Sequence, residues 1–483
     1  MKKEAYAKVP GCSNPLITHK YGADPYALVY DGRVYIYMTS DTLVYDEEGK
    51  VTEVKYSIIN KISVISSADM VNWTDHGEIS VAGPNGIAKW ANNSWAPAIA
   101  HKTINGKEKF FLYFANNGSG IGVLTGDSPV GPWIDPLGKA MISQETPGIR
   151  GVWWLFDPAV LVDDDGTGYL YCGGGIPNDQ NPTPENIANP KTGRVMKLEE
   201  DMIHIAGSAV TIDAPYMFED SGIHKYKNKY YYSYCSNFAG VHPEGTPPKG
   251  EIAYMVSDNA MGPFTYVGTI LKNPSELFGV GGNNHHAIFE FKGQWYITYH
   301  AQTLDKAIAG KARGYRSTHI NKLEYDEDGL IKEVKGDMAG VAQLTYLNPF
   351  DINEAETIAW NSGISTEKCS AEGRFYDGTN LKVTSISNGA WISVAKADFG
   401  ENGAVLFKAS VASTVGGKID IHVDSHNGEL MGTLEVNSTG GEQNWRILET
   451  SVKNIKGIHD IYFVFSGEEG NANLFSIDYW QFI

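Results

Sequence analysis

The chain has 483 residues, enough for two to four domains of ordinary size and for a substantial core. Its 57 acidic and 39 basic residues leave a net charge of −18, which repels phosphate backbones and anionic lipid headgroups, so neither nucleic acid nor a membrane is expected as a partner. With 27 Tyr, 11 Trp and 18 Phe set among 53 Gly, the composition favours short strands and tight turns, and the chain reads as all-β.

The first 25 residues lack the apolar core of a signal peptide and no apolar run approaches membrane-spanning length, so a soluble, cytoplasmic protein is expected. Cys12, Cys172, Cys235 and Cys369 are scattered without a CxxC pair and read as free thiols rather than as a disulfide framework or a zinc ribbon.

Five related segments follow one another along the first 350 residues. They are GADPYALVYDGRVYIYMTSD from Gly22, WAPAIAHKTINGKEKFFLYFAN from Trp95, FDPAVLVDDDGTGYLYCGGG from Phe156, FEDSGIHKYKNKYYYSYCSN from Phe218 and NHHAIFEFKGQWYITYHAQ from Asn284. Each has a small or polar opening, an alternating apolar strand, a Gly- or Asn-containing turn and an aromatic-rich strand, which is the pattern of a β-hairpin. Counting back from the aromatic strand aligns Asp24, Ala96, Asp157, Glu219 and His285 at spacings of 72, 61, 62 and 66 residues. Between the hairpins, VISSADMVNWTDHGEI, GVLTGDSPVGPWIDPLG and AYMVSDNAMGPFTYVGTI supply outer strands. Five such units predict a five-bladed β-propeller over residues 1–350, in which radial repetition leaves few sheet edges exposed. Near Asn348-Pro349-Phe350 the repeats stop, and residues 351–483 carry alternating strands at the spacing of a jelly-roll β-sandwich. No low-complexity linker intervenes, so the two domains are expected to pack rigidly.

In a propeller the innermost strands face the axis, so equivalent positions on them converge. Asp24, Asp157 and Glu219 would therefore meet at one end of the channel, a costly like-charge cluster unless a function or a cation uses it. Such a trio suits glycoside hydrolysis, in which one carboxyl protonates the leaving oxygen, one carboxylate activates water and a third tunes the acid. Asp220, next to Glu219, is expected to point the other way because strand side chains alternate. Trp95, Trp153, Trp154 and Phe156 begin or precede inner strands and are placed to line a sugar subsite, with core packing as their alternative use.

The order of Asp24 in ADPY, Asp157 in FDPAVLVDDDG and Glu219 in FEDSGIHKYKNKYYY resembles glycoside hydrolase family 43, over residues 15–350. The resemblance implies that Asp24 is the general base, Glu219 the general acid and Asp157 the modulator of its pKa. It also implies inversion at the anomeric carbon, with base and acid roughly 6.5–9.5 Å apart. His285 in GGNNHHAI would hold an axial divalent cation, usually calcium, with water filling most of the shell, and Arg316 in GYRSTHI would orient the substrate. The form of these motifs and the joined sandwich look most like exo-acting enzymes that release L-arabinofuranose or D-xylose from arabinoxylan-derived oligosaccharides. A retaining fructosidase of the related five-bladed group, an endo-arabinanase and a non-catalytic glycan-binding propeller are the alternatives.

From Glu354 the chain resembles a family-6 carbohydrate-binding module, with EAE, NGAW, GKIDIHVDS, STGGEQNW and IDYWQF in order. Glu354, Glu356 and Asp478 match that family's structural calcium site. Its sugar-gripping aromatics and asparagine are replaced near Ser385, at Glu442 and near Ser476, so a structural partner rather than a binding module is expected. Trp391, Trp445 and Trp480 are read as core.

Overall fold

The computed structural model describes residues 6–371 and 380–483. Residues 23–323 form five antiparallel sheets arranged as a ring, each inner strand lying beside the next and the fifth beside the first. Blade 1 runs outward from Ala23–Tyr30 through Arg33–Thr39 and Lys61–Ser67 to Trp73–Ser80. Blades 2, 3 and 4 start at Trp95–Ile104, Ala159–Val162 and Met217–Tyr226 and also have four strands each. Blade 5, from His286–Phe291 to Ser317–Leu323, has three.

The segment before blade 1 completes blade 5. Leu16 N–H donates to Thr318 O at 2.9 Å, and the Asn14 side chain accepts from Ile320 N–H at 2.7 Å while donating to Ile320 O at 2.9 Å. The buried Lys8 ammonium holds this segment in place by donating to the carbonyls of Ser13, Pro15 and Leu16. The ring is thus closed by joining the chain's start to the last blade, which leaves no open edge there.

Tyrosine joins the blades. Tyr37, Tyr113 and Tyr171 lie on the second strands of blades 1 to 3, each opposite the residue two past the aligned position (Tyr26, Ala98 and Ala159). Each donates its hydroxyl to a backbone carbonyl of the next blade, at Pro129, Met202 and Ala260. All three rings are fully buried, so each donor satisfies a carbonyl that would otherwise lose its water on folding. Part of the aromatic excess therefore serves as staples between blades.

Residues 353–483 form the sandwich. One sheet is built on Leu381–Thr384, Ala404–Ser413, Gly441–Ile455 and Ser476–Phe482, the other on Trp391–Asp398, Gly417–Val423, Glu429–Val436 and Ile458–Ser466, with a separate apolar core between them. Trp391 and Trp480 are core, as read from the sequence, but Trp445 lies half-buried on the edge strand Gly441–Ile455. The two domains share a sheet: Thr357–Ile358 pairs antiparallel with the outer strand of blade 1, Thr357 opposite Thr74 and Ile358 opposite Trp73. Beside this join, Val71 packs against Ala359, Trp360, Trp391, Ala395 and Tyr462. Among the described residues no helix is long and apolar enough to cross a membrane.

Asn72 seals the join. Its Oδ1 accepts from Ala395 N–H at 2.8 Å, and its Nδ2 donates to Ala395 O at 3.0 Å and to Asp69 Oδ2 at 2.6 Å. Asn72→Ala would leave the Ala395 amide buried without its acceptor, at a cost of about 1–3 kcal/mol. Calorimetry should show the unfolding midpoint lowered by several degrees; an unchanged thermogram would mean that the domains do not depend on this contact.

Candidate active site

The inner strands of blades 1 to 4 share one irregularity. In blade 1 the pairing steps from Ala23↔Thr39 to Tyr26↔Tyr37, three residues against two, and blade 2 does the same from Trp95↔Ala115 to Ala98↔Tyr113. Blade 4 repeats it from Glu219↔Cys235 to Gly222↔Ser233. The extra residue adopts positive φ: +48° at Asp24, +42° at Ala96, +50° at Asp157 and +67° at Asp220. A bulge of this kind bends the strand and re-aims its side chains, and four non-glycine residues in this region mark a strained position used repeatedly.

This register corrects the alignment drawn from the sequence. Asp220, not Glu219, is the backbone equivalent of Asp24 and Asp157, while Glu219 sits one residue earlier, level with Ala23. Asp24 and Asp220 stand equally far from the matching turn pairs Tyr30↔Arg33 and Tyr226↔Lys229, so aligning on Glu219 placed blade 4 one residue early. His285 bonds across to His300 without a bulge, through His300 N–H to His285 O at 3.2 Å.

The carboxylates nonetheless converge. His285 Nδ1 lies 3.6 Å from Asp24 Oδ1 and 3.8 Å from Asp157 Oδ2. Arg316, also buried, points one guanidinium nitrogen at Asp24 Oδ1 at 2.7 Å. Its other edge is gripped by Asp41, with Nε to Oδ2 at 3.0 Å and Nη2 to Oδ1 at 2.8 Å. The His300 ring accepts from Asp24 N–H at 3.1 Å.

Electrostatics divides the trio. Burial alone would raise the Asp24 carboxyl, but the Arg316 guanidinium, helped by His285 and His300, outweighs it and holds Asp24 well below the usual carboxylate range. Asp157 is pushed well up, first by burial and then by the Asp24 charge. Glu219 is pushed well up by burial and by the charges of Asp157, Asp24 and Asp220. The two directions set Asp24, held down, apart from Glu219, pushed up, and Glu219 Oε1 is buried with no hydrogen-bond partner among the described residues. Like charges packed together cannot all ionise, and the guanidinium decides which one does.

Around the trio, Trp154 is half-buried and meets Phe156 and Phe218 edge-on at 5.5 and 5.4 Å. Phe156, expected at a sugar subsite, is instead buried in the core behind Trp154. Trp95 is half-buried, with its indole N–H donating to Tyr56 O at 3.1 Å. Trp153 is exposed.

Sequence reasoning missed several members of the site. Tyr56 stands over Arg316 at 5.2 Å, and Phe218 meets the exposed Phe238 edge-on at 5.7 Å. Phe238 opens onto a surface cavity of about 560 Å³ that Lys249, Asn273 and Glu276 also line. Asp41 closes the first repeat, where the others end in Asn, Gly or Gln, and that lone acid was its only signal. Asp220 proves wholly buried, hydrogen-bonded to His286 and with its Oδ1 3.1 Å from His285 Nε2.

Among the described residues no group of three or more His, Cys, Asp or Glu side chains is arranged to hold a metal ion. In the sandwich, Glu354, Glu356 and Asp478 are buried together, and burial, then Glu354, pushes the Glu356 carboxyl well up. Ser476 is buried against Thr384, Ser385 bonds Ser365 and Glu442 is exposed, so none of the three positions offers a stacking ring.

Residues 12–331 match the model of glycosyl hydrolases family 43, and residues 354–483 match that of the family-6 carbohydrate-binding modules. The chain belongs to glycoside hydrolase family 43. It is 63% identical over 482 residues to an arabinoxylan arabinofuranohydrolase of Paenibacillus polymyxa, covering 99% of this chain and 75% of that protein. An arabinoxylan arabinofuranohydrolase of Bacillus subtilis is 60% identical, covering 99% and 93%. A crystal structure of a B. subtilis family 43 arabinoxylan arabinofuranohydrolase in complex with cellotetraose superposes with a TM-score of 0.96 at 60% identity, covering 99% of this chain and 98% of that one. The chain is thus a glycoside hydrolase with the propeller and sandwich of this family.

If Arg316 sets the ionisation of Asp24, Arg316→Gln should raise that carboxyl. The acidic limb of kcat/KM, lost as pH falls through the pKa of the base, should then move upward by about one to three pH units. A pH profile on an aryl arabinofuranoside checks this, and an unmoved limb would assign Arg316 to binding alone.

Proposed function

We propose that this family 43 hydrolase is an exo-acting, inverting arabinofuranosidase that removes L-arabinofuranose side groups from arabinoxylan-derived oligosaccharides. The observation that carries the reading is the buried trio on converging inner strands, with Asp24 paired to the Arg316 guanidinium and held low while Glu219 is pushed up, in a chain 63% and 60% identical to two arabinoxylan arabinofuranohydrolases. Neither the fructosidase nor the endo-arabinanase alternative is favoured by these relatives.

The chemistry follows from the protonation states. Asp24 takes a proton from water as that water attacks the anomeric carbon. Glu219 gives its proton to the glycosidic oxygen as the carbon–oxygen bond breaks. Burial, and then the neighbouring carboxyl groups Asp157 and Asp24, keep the pKa of Glu219 high. One attack from the face opposite the leaving group inverts the anomeric centre. Because Glu219 must stand beside the leaving oxygen, the rest of the oligosaccharide lies toward blade 4, where Phe218, Phe238 and the adjoining cavity give it a surface. In the sandwich, the absence of stacking rings at Ser385, Glu442 and Ser476 supports a structural partner.

His285 fits a single protein ligand to an axial calcium ion: one ring nitrogen bonds Asp220 at 3.1 Å and the other faces Asp24 and Asp157. A metal-ligating histidine commonly gives its second nitrogen to a carboxylate in this way. When bound, such an ion would offset part of the channel's negative charge. Glu354, Glu356 and Asp478, which the resemblance ties to a second calcium, are buried together but among the described residues are not arranged as a ligand set, so no ion is assigned there.

Glu219→Gln should lower kcat on an arabinoxylan oligosaccharide by about 10²–10⁴, and by much less on an aryl glycoside whose leaving group needs no proton. Equal losses on both substrates would point to a binding role. Chelation should lower the melting temperature of the wild-type protein and leave that of His285→Ala little changed. Metal-free protein by elemental analysis, together with a silent His285→Ala, would remove the axial ion from the account.

A further inference from the structure

The repeat that builds the propeller is broken at one place beside the trio, and the break is filled by a buried polar chain. In blades 1 to 3 the position two residues past the bulge faces a tyrosine staple. In blade 4 the same pair is Gly222 and Ser233. The space left by the missing ring is taken by His286 of blade 5, whose Nε2 bonds Ser233 Oγ at 2.7 Å. A Cβ on Gly222 would lie 2.6 Å from Ser233 Oγ and 3.0 Å from the His286 ring, so glycine is required for the histidine to fit. The His286 Nδ1 lies 2.5 Å from Asp220 Oδ2, and its backbone N–H donates to Asp220 Oδ1 at 3.2 Å.

Asp220 is the hub of this chain. Its Oδ1 also stands 3.1 Å from His285 Nε2, and its own N–H donates to Asp157 Oδ2 at 2.9 Å. A carboxylate set against two imidazoles favours a proton on the nitrogen that each turns to it, which for His285 is Nε2, with Nδ1 left toward Asp24 and Asp157. The strained φ of +67° at Asp220 is what turns its amide toward Asp157 while its side chain reaches the histidines.

We propose that Asp220 is a positioning residue for the hydrolysis: it fixes the tautomer of His285 and aims Asp157, and it is itself held by the His286–Ser233 pair that replaces a blade staple. This rests on the reading of Asp24 and Asp157 as catalytic, but half of it is testable without turnover. Asparagine at 220 offers one acceptor and one donor in place of two acceptors, so one histidine must change tautomer.

The test joins nitrogen-15 NMR of histidine-labelled protein, with His285→Gln used to assign the ring, to steady-state kinetics of Asp220→Asn and Ser233→Ala. Wild-type His285 should carry its proton on Nε2, and a ring protonated on Nδ1 would overturn the proposal whatever the kinetics. In Asp220→Asn the histidine signals should shift, and kcat should fall about 10- to 100-fold with KM held within about twofold. Ser233→Ala keeps Asp220 and should cost kcat a smaller factor of about two to ten. Loss of kcat with unchanged tautomers, or Asp220→Asn turning over at the wild-type rate, would show Asp220 to be a core residue and nothing more. Failure of the Glu219→Gln leaving-group test would instead strike the parent reading and leave the tautomer result standing.

Discussion

Arg316 is the pivot of the site. A fully buried cluster of Asp24, Asp157, Glu219 and Asp220 could not keep every carboxylate charged, and burial alone would neutralise them without distinction. The guanidinium breaks that symmetry. Asp41 grips one of its edges in a bidentate pair, so the remaining nitrogen has one direction left, toward Asp24 Oδ1. Asp24 is held low, while burial and then the neighbouring carboxylate charge push Asp157 and Glu219 up. The opposite shifts are thus two outcomes of one electrostatic arrangement.

The propeller supplies the geometry that this arrangement needs. Bulges in four inner strands turn successive residues toward the axis, and tyrosine hydroxyls bolt blade to blade so that the strands cannot drift apart. Closing the ring brings Arg316, before the last strand of blade 5, against Asp24 at the start of blade 1. The sandwich stiffens blade 1 from outside, since its strand Thr357–Ile358 extends that sheet beyond Trp73–Ser80, three strands out from Arg33–Thr39. A module with no ring at Ser385, Glu442 or Ser476 can still serve the enzyme in this way.

Much of this was legible in the sequence. Hairpins of fixed pattern announce a propeller, because alternation and turn chemistry are local signals, and the acids at their openings stand out against apolar strands. Asp24, Asp157, Arg316 and His285 come together as expected. What escaped was whatever depends on a shift of one residue or on a long-range partner. Asp220, rather than Glu219, holds the shared bulge position in blade 4, and the bulge brings into the site a carboxylate that simple alternation had pointed away. Asp41, Tyr56 and Phe238 sit on connections between strands, where neither period nor repeat marks a side chain as part of a site. Phe156 shows the reverse error, since an aromatic at an inner-strand opening serves the core as readily as a sugar.

The central claim is that one buried carboxyl of the trio is charged and the other two are not. Neutron diffraction from deuterated crystals near neutral pD reads this directly. The account predicts a deuteron on the Glu219 carboxyl and none on Asp24. A bare Glu219, or a deuteron bonded to a carboxyl oxygen of Asp24, would contradict it.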